Sequence, residues 1–285
     1  MDILVTGSNG QLGSTLQEMA PEWQQHRFLF ASRDDLDITS EKAVKQFFKD
    51  QKVDCLINCA GYTAVDAAEG DAATAGLVNA KGAGILADAA ASHNALMIHI
   101  STDYVFDGTS CRPYTESDSA NPKSVYGKTK LNGELEVIFN AKSSVIIRTS
   151  WLYSTHGHNF LKAIRNKAQT EKSLQVVYDQ VGTPTYAADL AGAIMHIIPK
   201  LPSKCRGEIY NYSNEGVASW FDVAKEIVDF DGVDCPVTPV MTKERPPVAQ
   251  RPHFSVLNKT RIKKEFGLTI PHWRDSLHAC LKKMT

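Results

Sequence analysis

Short apolar runs recur through the first half of the chain, each the length of one strand and each followed by a segment of helical character. The runs ILVT (3–6), RFLFA (27–31), CLINCA (55–60), LMIHIS (96–101) and SVIIRTS (144–150) alternate with QLGSTLQEMA, SEKAVKQFFKD, an Ala-rich stretch over 71–92, and YGKTKLNGELEVIF. Nearly continuous apolar runs suit strands buried on both faces, and helices between them make the sheet parallel. The expected fold is therefore α/β, a Rossmann-type doubly wound parallel sheet with every strand's C-terminal end on one edge.

After about residue 150 the rhythm loosens. LQVVYDQVG and EIYNYSN read as further strands, 157–170, 186–198, 219–230 and 272–284 as helices, and the Pro-rich 235–252 as irregular structure. Residues 1–150 are read as a dinucleotide-binding domain, to which a segment near 174–200 returns. Residues 151–285 are read mainly as a smaller α/β substrate domain.

Ligands of such sheets lie outside the strand ends. The first strand runs into TGSNGQLG, which places Gly7, Gly10 and Gly13 three apart, with Asn9, Gln11 and Leu12 between them, at the opening of the first helix. Gly7 permits the tight turn, Gly10 lets backbone N–H groups approach a pyrophosphate, and Gly13 lets helix and strand pack closely. The helix N-terminus supplies a favourable dipole. At the end of the second strand stand Ser32 and Arg33, where an NAD-selective site places a carboxylate. Arg33 suits a 2′-phosphate, although Asp34 and Asp35 follow at once and a plain exposed arginine is the competing reading; NADPH is expected, with NADH as the second choice. Asp37 and Ile38 are expected to border the adenine. Cys59, Ala60, Gly61, Tyr62 and Thr63 cap the third strand and line the inner half of the cofactor, with Thr63 alternatively a helix cap. Asn79 either ties that loop down or is an ordinary polar helix residue.

The fourth strand ends in STDYVFDG, and SVYGKTK places Tyr126 and Lys130 one helical turn apart. A phenol with a pKa of ~10 exchanges protons poorly at neutral pH, and a neighbouring cation lowers that value. Lys130 is the candidate cation, Tyr126 the proton donor, and Thr102 a hydroxyl that polarises a substrate oxygen.

The three glycines, the Thr102 segment and Tyr126-x-x-x-Lys130 resemble the extended short-chain dehydrogenase/reductase family. STDYVFDG, NPKSVYGKTK, IIRTSWLYS and QRPHFSVLN extend the resemblance over nearly the whole chain, to those members that reduce dTDP-4-keto-6-deoxysugars. The resemblance implies reduction of the 4-keto group of dTDP-6-deoxy-L-lyxo-4-hexulose, with Thr102, Tyr126 and Lys130 catalytic and with Asp103, Tyr104, Val105 and Trp151 at the sugar. Trp151 offers an indole platform for a sugar face, or is a core tryptophan. Arg251, with Ser255, suits a nucleotide diphosphate or packs a domain boundary. Epimerases and dehydratases of the same fold form one alternative, the dehydratases tending to carry an acid after the catalytic Thr, the position of Asp103 here. A non-catalytic NADP-binding regulatory subunit forms another.

Composition excludes other classes. With 31 basic and 32 acidic residues interleaved, no nucleic acid or anionic membrane partner is expected. The six cysteines show no zinc-ligand spacing, and His156 and His158 read as rim residues. Some relatives pair through a magnesium site that draws a glutamate from the first helix, where this chain has Ser14 and Thr15 after Gly13. No metal is expected, and the protein is expected to be a monomer or homodimer. The opening MDILVTG shows no leader-like pattern, so a cytoplasmic location is expected.

Overall fold

The computed structural model describes residues 1–202 and 205–284. Its central sheet is built from β1 (Asp2–Thr6), β2 (Arg27–Ala31), β3 (Cys55–Asn58), β4 (Leu96–Thr102), β5 (Ser144–Thr149) and β6 (Glu208–Tyr212). The strands lie in the order β2-β1-β3-β4-β5-β6, all parallel. Thr6 pairs with both Ala31 and Asn58, and Thr102 pairs with Thr149, so these strands finish on one edge.

Alternate residues of each strand feed two apolar layers. Ile3, Val5, Ile57, Ile98 and Ile147 face one side, where they pack with Leu12 and Leu16 of helix α1 (Gln11–Met19). Leu4, Leu56, Met97 and Ile146 face the other, against the helices Glu41–Asp50 and Ala83–Ser92 and against Val137 of α2 (Val125–Asn140). Burial on both faces explains why the strands read as unbroken apolar runs. The connection from β1 runs to β2 on one side, and the chain then crosses to β3 on the other, which opens a crevice above β1 and β3.

Beyond β5 the chain leaves the sheet and returns to it. The helix Ala187–Ile197 packs on the α1 side, β6 extends the sheet, and the helix Thr260–Phe266, which the sequence did not suggest, covers β6 through Phe266 and Tyr210. Leu174–Val177 does not join this sheet. It pairs in parallel with Val237–Val240, so the stretch read as irregular contains a short strand. Pro239 is tolerated there because the pair is only two strands wide. With the helices Phe160–Thr170, Trp220–Asp231 and Trp273–Lys282 this pair encloses a smaller apolar cluster of its own. The Ala-rich stretch is interrupted by a π-helical turn at Leu77–Gly82. Among the described residues no helix is long and apolar enough to cross a membrane.

Candidate active site

The turn after β1 is held by close backbone approaches. Gly7 has φ +67°, and a Cβ there would lie 2.6 Å from the Ala60 nitrogen; one at Gly13 would lie 2.4 Å from the Gly7 carbonyl oxygen. Gly10 caps α1 without a side chain, so the first-turn N–H groups face the crevice uncovered. Gln11 points to the smaller lobe, where its Nε2 donates to the Leu152 carbonyl at 3.2 Å and its Oε1 accepts from Asn159 at 3.0 Å.

Two cavities meet at this turn. One, of about 370 Å³, lies between the glycine turn and Ser32, Arg33, Asp37 and Ile38, with Ala60, Gly61 and Tyr62 on its far wall. Asp35 is committed to the backbone N–H and hydroxyl of Ser32, at 2.9 and 2.7 Å, and Asp37 to Thr39. Those hydrogen bonds hold both carboxyls below their usual pKa. Arg33 is exposed on the rim and, among the described residues, forms no ion pair. Asn79 ties the loop down: its Oδ1 accepts from the Tyr62 N–H at 2.7 Å, and its Nδ2 donates to the Tyr62 carbonyl and the Thr129 hydroxyl.

The second cavity, of about 570 Å³, brings Thr102, Asp103, Tyr104, Tyr126, Lys130, Trp151 and Arg251 together beside Gly10, Gln11, Leu12 and Thr63; Val105 is buried behind this wall. Ser124 caps α2 by accepting from the Gly127 N–H. A Cβ on Gly127 would lie 2.3 Å from the Tyr104 carbonyl oxygen, so only glycine lets α2 start against the turn Asp103–Val105. That contact brings Tyr126 to Thr102, and the rings of Tyr104 and Tyr126 meet edge to face at 5.6 Å.

The electrostatics depart from the sequence expectation. Burial pushes the Tyr126 phenol above its usual pKa, and a hydrogen bond with Thr102 only partly offsets this. Lys130, 5% exposed, donates to the Ile100 carbonyl at 2.6 Å, and burial brings its pKa down to about 8. Removal from water is the largest cause for each group, and neither is among the groups that shift the other. Asp103 is 1% exposed and is pushed up to about 6 by burial, which the Ser255 side chain and the Thr102 hydroxyl, donating to its Oδ1 at 3.0 Å, only partly offset.

Trp151 adopts φ +48°, unusual for a bulky residue, and stacks on Trp220. Trp220 was not singled out from the sequence, although Ser219-Trp220-Phe221-Asp222 is a legible capping box. Arg251 bonds Asp66 at 2.5 Å, joining the late Pro-rich segment to the short helix Val65–Ala68 that follows β3. Trp220 and Arg251 also line an adjoining cleft of about 360 Å³ with Phe160, Lys167, Gln180 and Arg245. Among the remaining candidates, His158 lines the reactive cavity and His156 pairs with Glu18 at 2.9 Å. Glu18 also pairs with Lys283.

The family model of the RmlD substrate binding domain matches residues 1–285. The chain is 36% identical over 284 residues to the dTDP-4-dehydrorhamnose reductase of Aggregatibacter actinomycetemcomitans, an alignment covering 96% of each. Among solved structures, a dTDP-4-dehydrorhamnose reductase from Clostridium acetobutylicum superposes with a TM-score of 0.95 at 40% identity, covering 100% of this chain and 99% of that one. The dTDP-4-dehydrorhamnose reductase of Bacillus anthracis in complex with NADP gives 0.94 at 35% identity, covering 99% of each.

Proposed function

The chain belongs to the RmlD substrate binding domain family, and on that premise we propose that it reduces the 4-keto group of dTDP-6-deoxy-L-lyxo-4-hexulose to give dTDP-L-rhamnose. The observation that carries this reading is the convergence of Thr102, Tyr126 and Lys130 on one wall of the cavity that opens onto the glycine turn.

The turn fits a dinucleotide, since its glycines leave room that a Cβ would fill and its helix N-terminus is uncovered. NADPH, when bound, supplies the hydride. Arg33 takes the 2′-phosphate, because the neighbouring carboxylates are engaged within their own loop. NADH, which lacks that phosphate, is the weaker donor. Thr102 hydrogen-bonds the ketone oxygen, and Tyr126 delivers the proton as that oxygen gains charge. Lys130 moves its ammonium between the Ile100 carbonyl and the nicotinamide ribose. Asp103, Tyr104 and Trp151 hold the deoxysugar, while Arg251, Arg245 and Lys167 supply positive charge to the nucleotide diphosphate in the adjoining cleft. The smaller lobe is thus the nucleotide-sugar part of the molecule. All six cysteines are free thiols, in keeping with a reducing cytoplasm.

The test incubates the purified protein with NADPH and dTDP-6-deoxy-L-lyxo-4-hexulose and follows cofactor absorbance. One NADPH consumed per sugar is expected. Sugar turnover without net consumption would instead favour an epimerase or dehydratase, a reading that the protonatable Asp103 keeps open. No turnover would favour a regulatory subunit.

A further inference from the structure

Glu134 lies one helical turn beyond Lys130 and two beyond Tyr126 on α2, which puts the three on one face of the helix. Its side chain is 1% exposed, an uncommon place for a carboxylate. The Ser101 hydroxyl donates to Glu134 Oε1 at 2.5 Å, and Arg148 grips the carboxylate from β5, with Nε to Oε1 at 2.9 Å and Nη2 to Oε2 at 2.7 Å. Arg148 is itself 4% exposed and lies over the Phe106 ring. Ser101 reaches the wall of the reactive cavity, whereas Glu134 and Arg148 lie behind that wall and do not line it.

Helix and strand are stapled at three points. Lys130 bonds the carbonyl of Ile100, Ser101 bonds Glu134, and Thr102 faces Tyr126, so three consecutive residues of β4 meet three successive turns of α2. A buried ion pair contributes little net stability over an apolar packing of the same volume, and its best-attested use is to fix register. We propose that Glu134, held by Arg148 and Ser101, is a positioning residue that sets the place and charge of Lys130, and through it the proton-donating Tyr126; the proposal rests on the functional reading above.

Beside Glu134, the groups facing Lys130 are the Cys59 thiol at the end of β3 and His99 on β4. Glu134 is the anion of this set, and it favours the charged ammonium. Its neutralisation would also leave the Arg148 guanidinium uncompensated, and both changes act in the same direction on Lys130.

The experiment follows the ε-carbon resonance of Lys130 by NMR titration of ¹³C-lysine-labelled protein, assigned with Lys130→Met, alongside the pH dependence of kcat/KM. Glu134→Gln should move the Lys130 titration and the alkaline limb of the rate profile to lower pH by about one pH unit or more. It should also lower kcat about tenfold while KM for the sugar changes less than about twofold. Ser101→Ala keeps the carboxylate, so it should lower kcat about threefold with the titration unmoved. A Lys130 titration unchanged in Glu134→Gln would overturn the proposal. So would a full kcat in Ser101→Ala, the variant that decides the matter if Glu134→Gln does not fold. The titration needs no turnover, so failure of the reductase assay would sink the functional reading without deciding this result.

Discussion

The indoles of Trp151 and Trp220 lie face to face, with ring centroids 3.6 Å apart and planes 9° from parallel. Trp220 covers one face of Trp151 and itself meets Phe160 at 4.5 Å. The stack fixes the Trp151 indole, the proposed sugar platform, where the reactive cavity meets the adjoining cleft that Trp220 also lines. Trp220→Ala should raise KM for the dTDP-sugar about two- to tenfold, the range of an aromatic pair, and leave KM for NADPH unchanged. Steady-state kinetics with both substrates varied would show it; equal changes in the two constants would assign Trp220 to general packing.

Tyr126→Phe keeps the ring against Tyr104 and removes the hydroxyl. Turnover should fall at least about a hundredfold, with NADPH binding by fluorescence titration near wild type. Near-normal turnover would remove Tyr126 as the donor.

Arg33→Ala should reduce kcat/KM with NADPH by about tenfold or more and leave NADH nearly unaffected, because a charge-assisted contact is lost with one cofactor only. Parallel losses would make Arg33 a bystander.

Asp103 is pushed by burial from 3.8 in the unfolded chain up to about 6. A carboxyl with a raised folded pKa holds its proton longer in the native state, so stability falls as the pH rises from about 4 through about 6. Asp103→Asn keeps an acceptor for Thr102 and has no charge to bury. Its thermal stability should exceed wild type near pH 8 by on the order of 3 kcal/mol, with the gain vanishing near pH 4, while activity falls. Thermal melts at the two pH values give the comparison, and a gain independent of pH would refute the charge explanation.

Glu18, the carboxylate of α1 available for an intermolecular cation, is engaged by His156 and Lys283. Excess EDTA should therefore leave both the rate and the sedimentation coefficient unchanged. Activity lost on chelation and restored by magnesium would show that carboxylates from elsewhere build a metal site.

The sequence by itself determined the class of fold, because strands buried on both faces must be apolar throughout, and unbroken runs between helices have few other solutions. It also determined the ends of the reactive crevice. Gly7, Gly10 and Gly13 sit at a strand end, and Tyr126 and Lys130 share a face through nothing more than helical spacing. The tertiary structure decided what spacing cannot express. Leu174–Val177 was legible as a strand, but its partner lay some sixty residues away in a Pro-rich segment, and pairing in a two-stranded ribbon depends on what packs beneath it. Trp220 became a site residue only because helix Trp220–Asp231 docks beside Trp151. Glu134 and Arg148 look like surface charges until α2 and β5 bring them together with Ser101. The pKa directions were out of reach for the same reason. Charge proximity alone predicts an acidified Tyr126, but desolvation, a property of the whole packed crevice, raises the phenol and lowers the ammonium of Lys130.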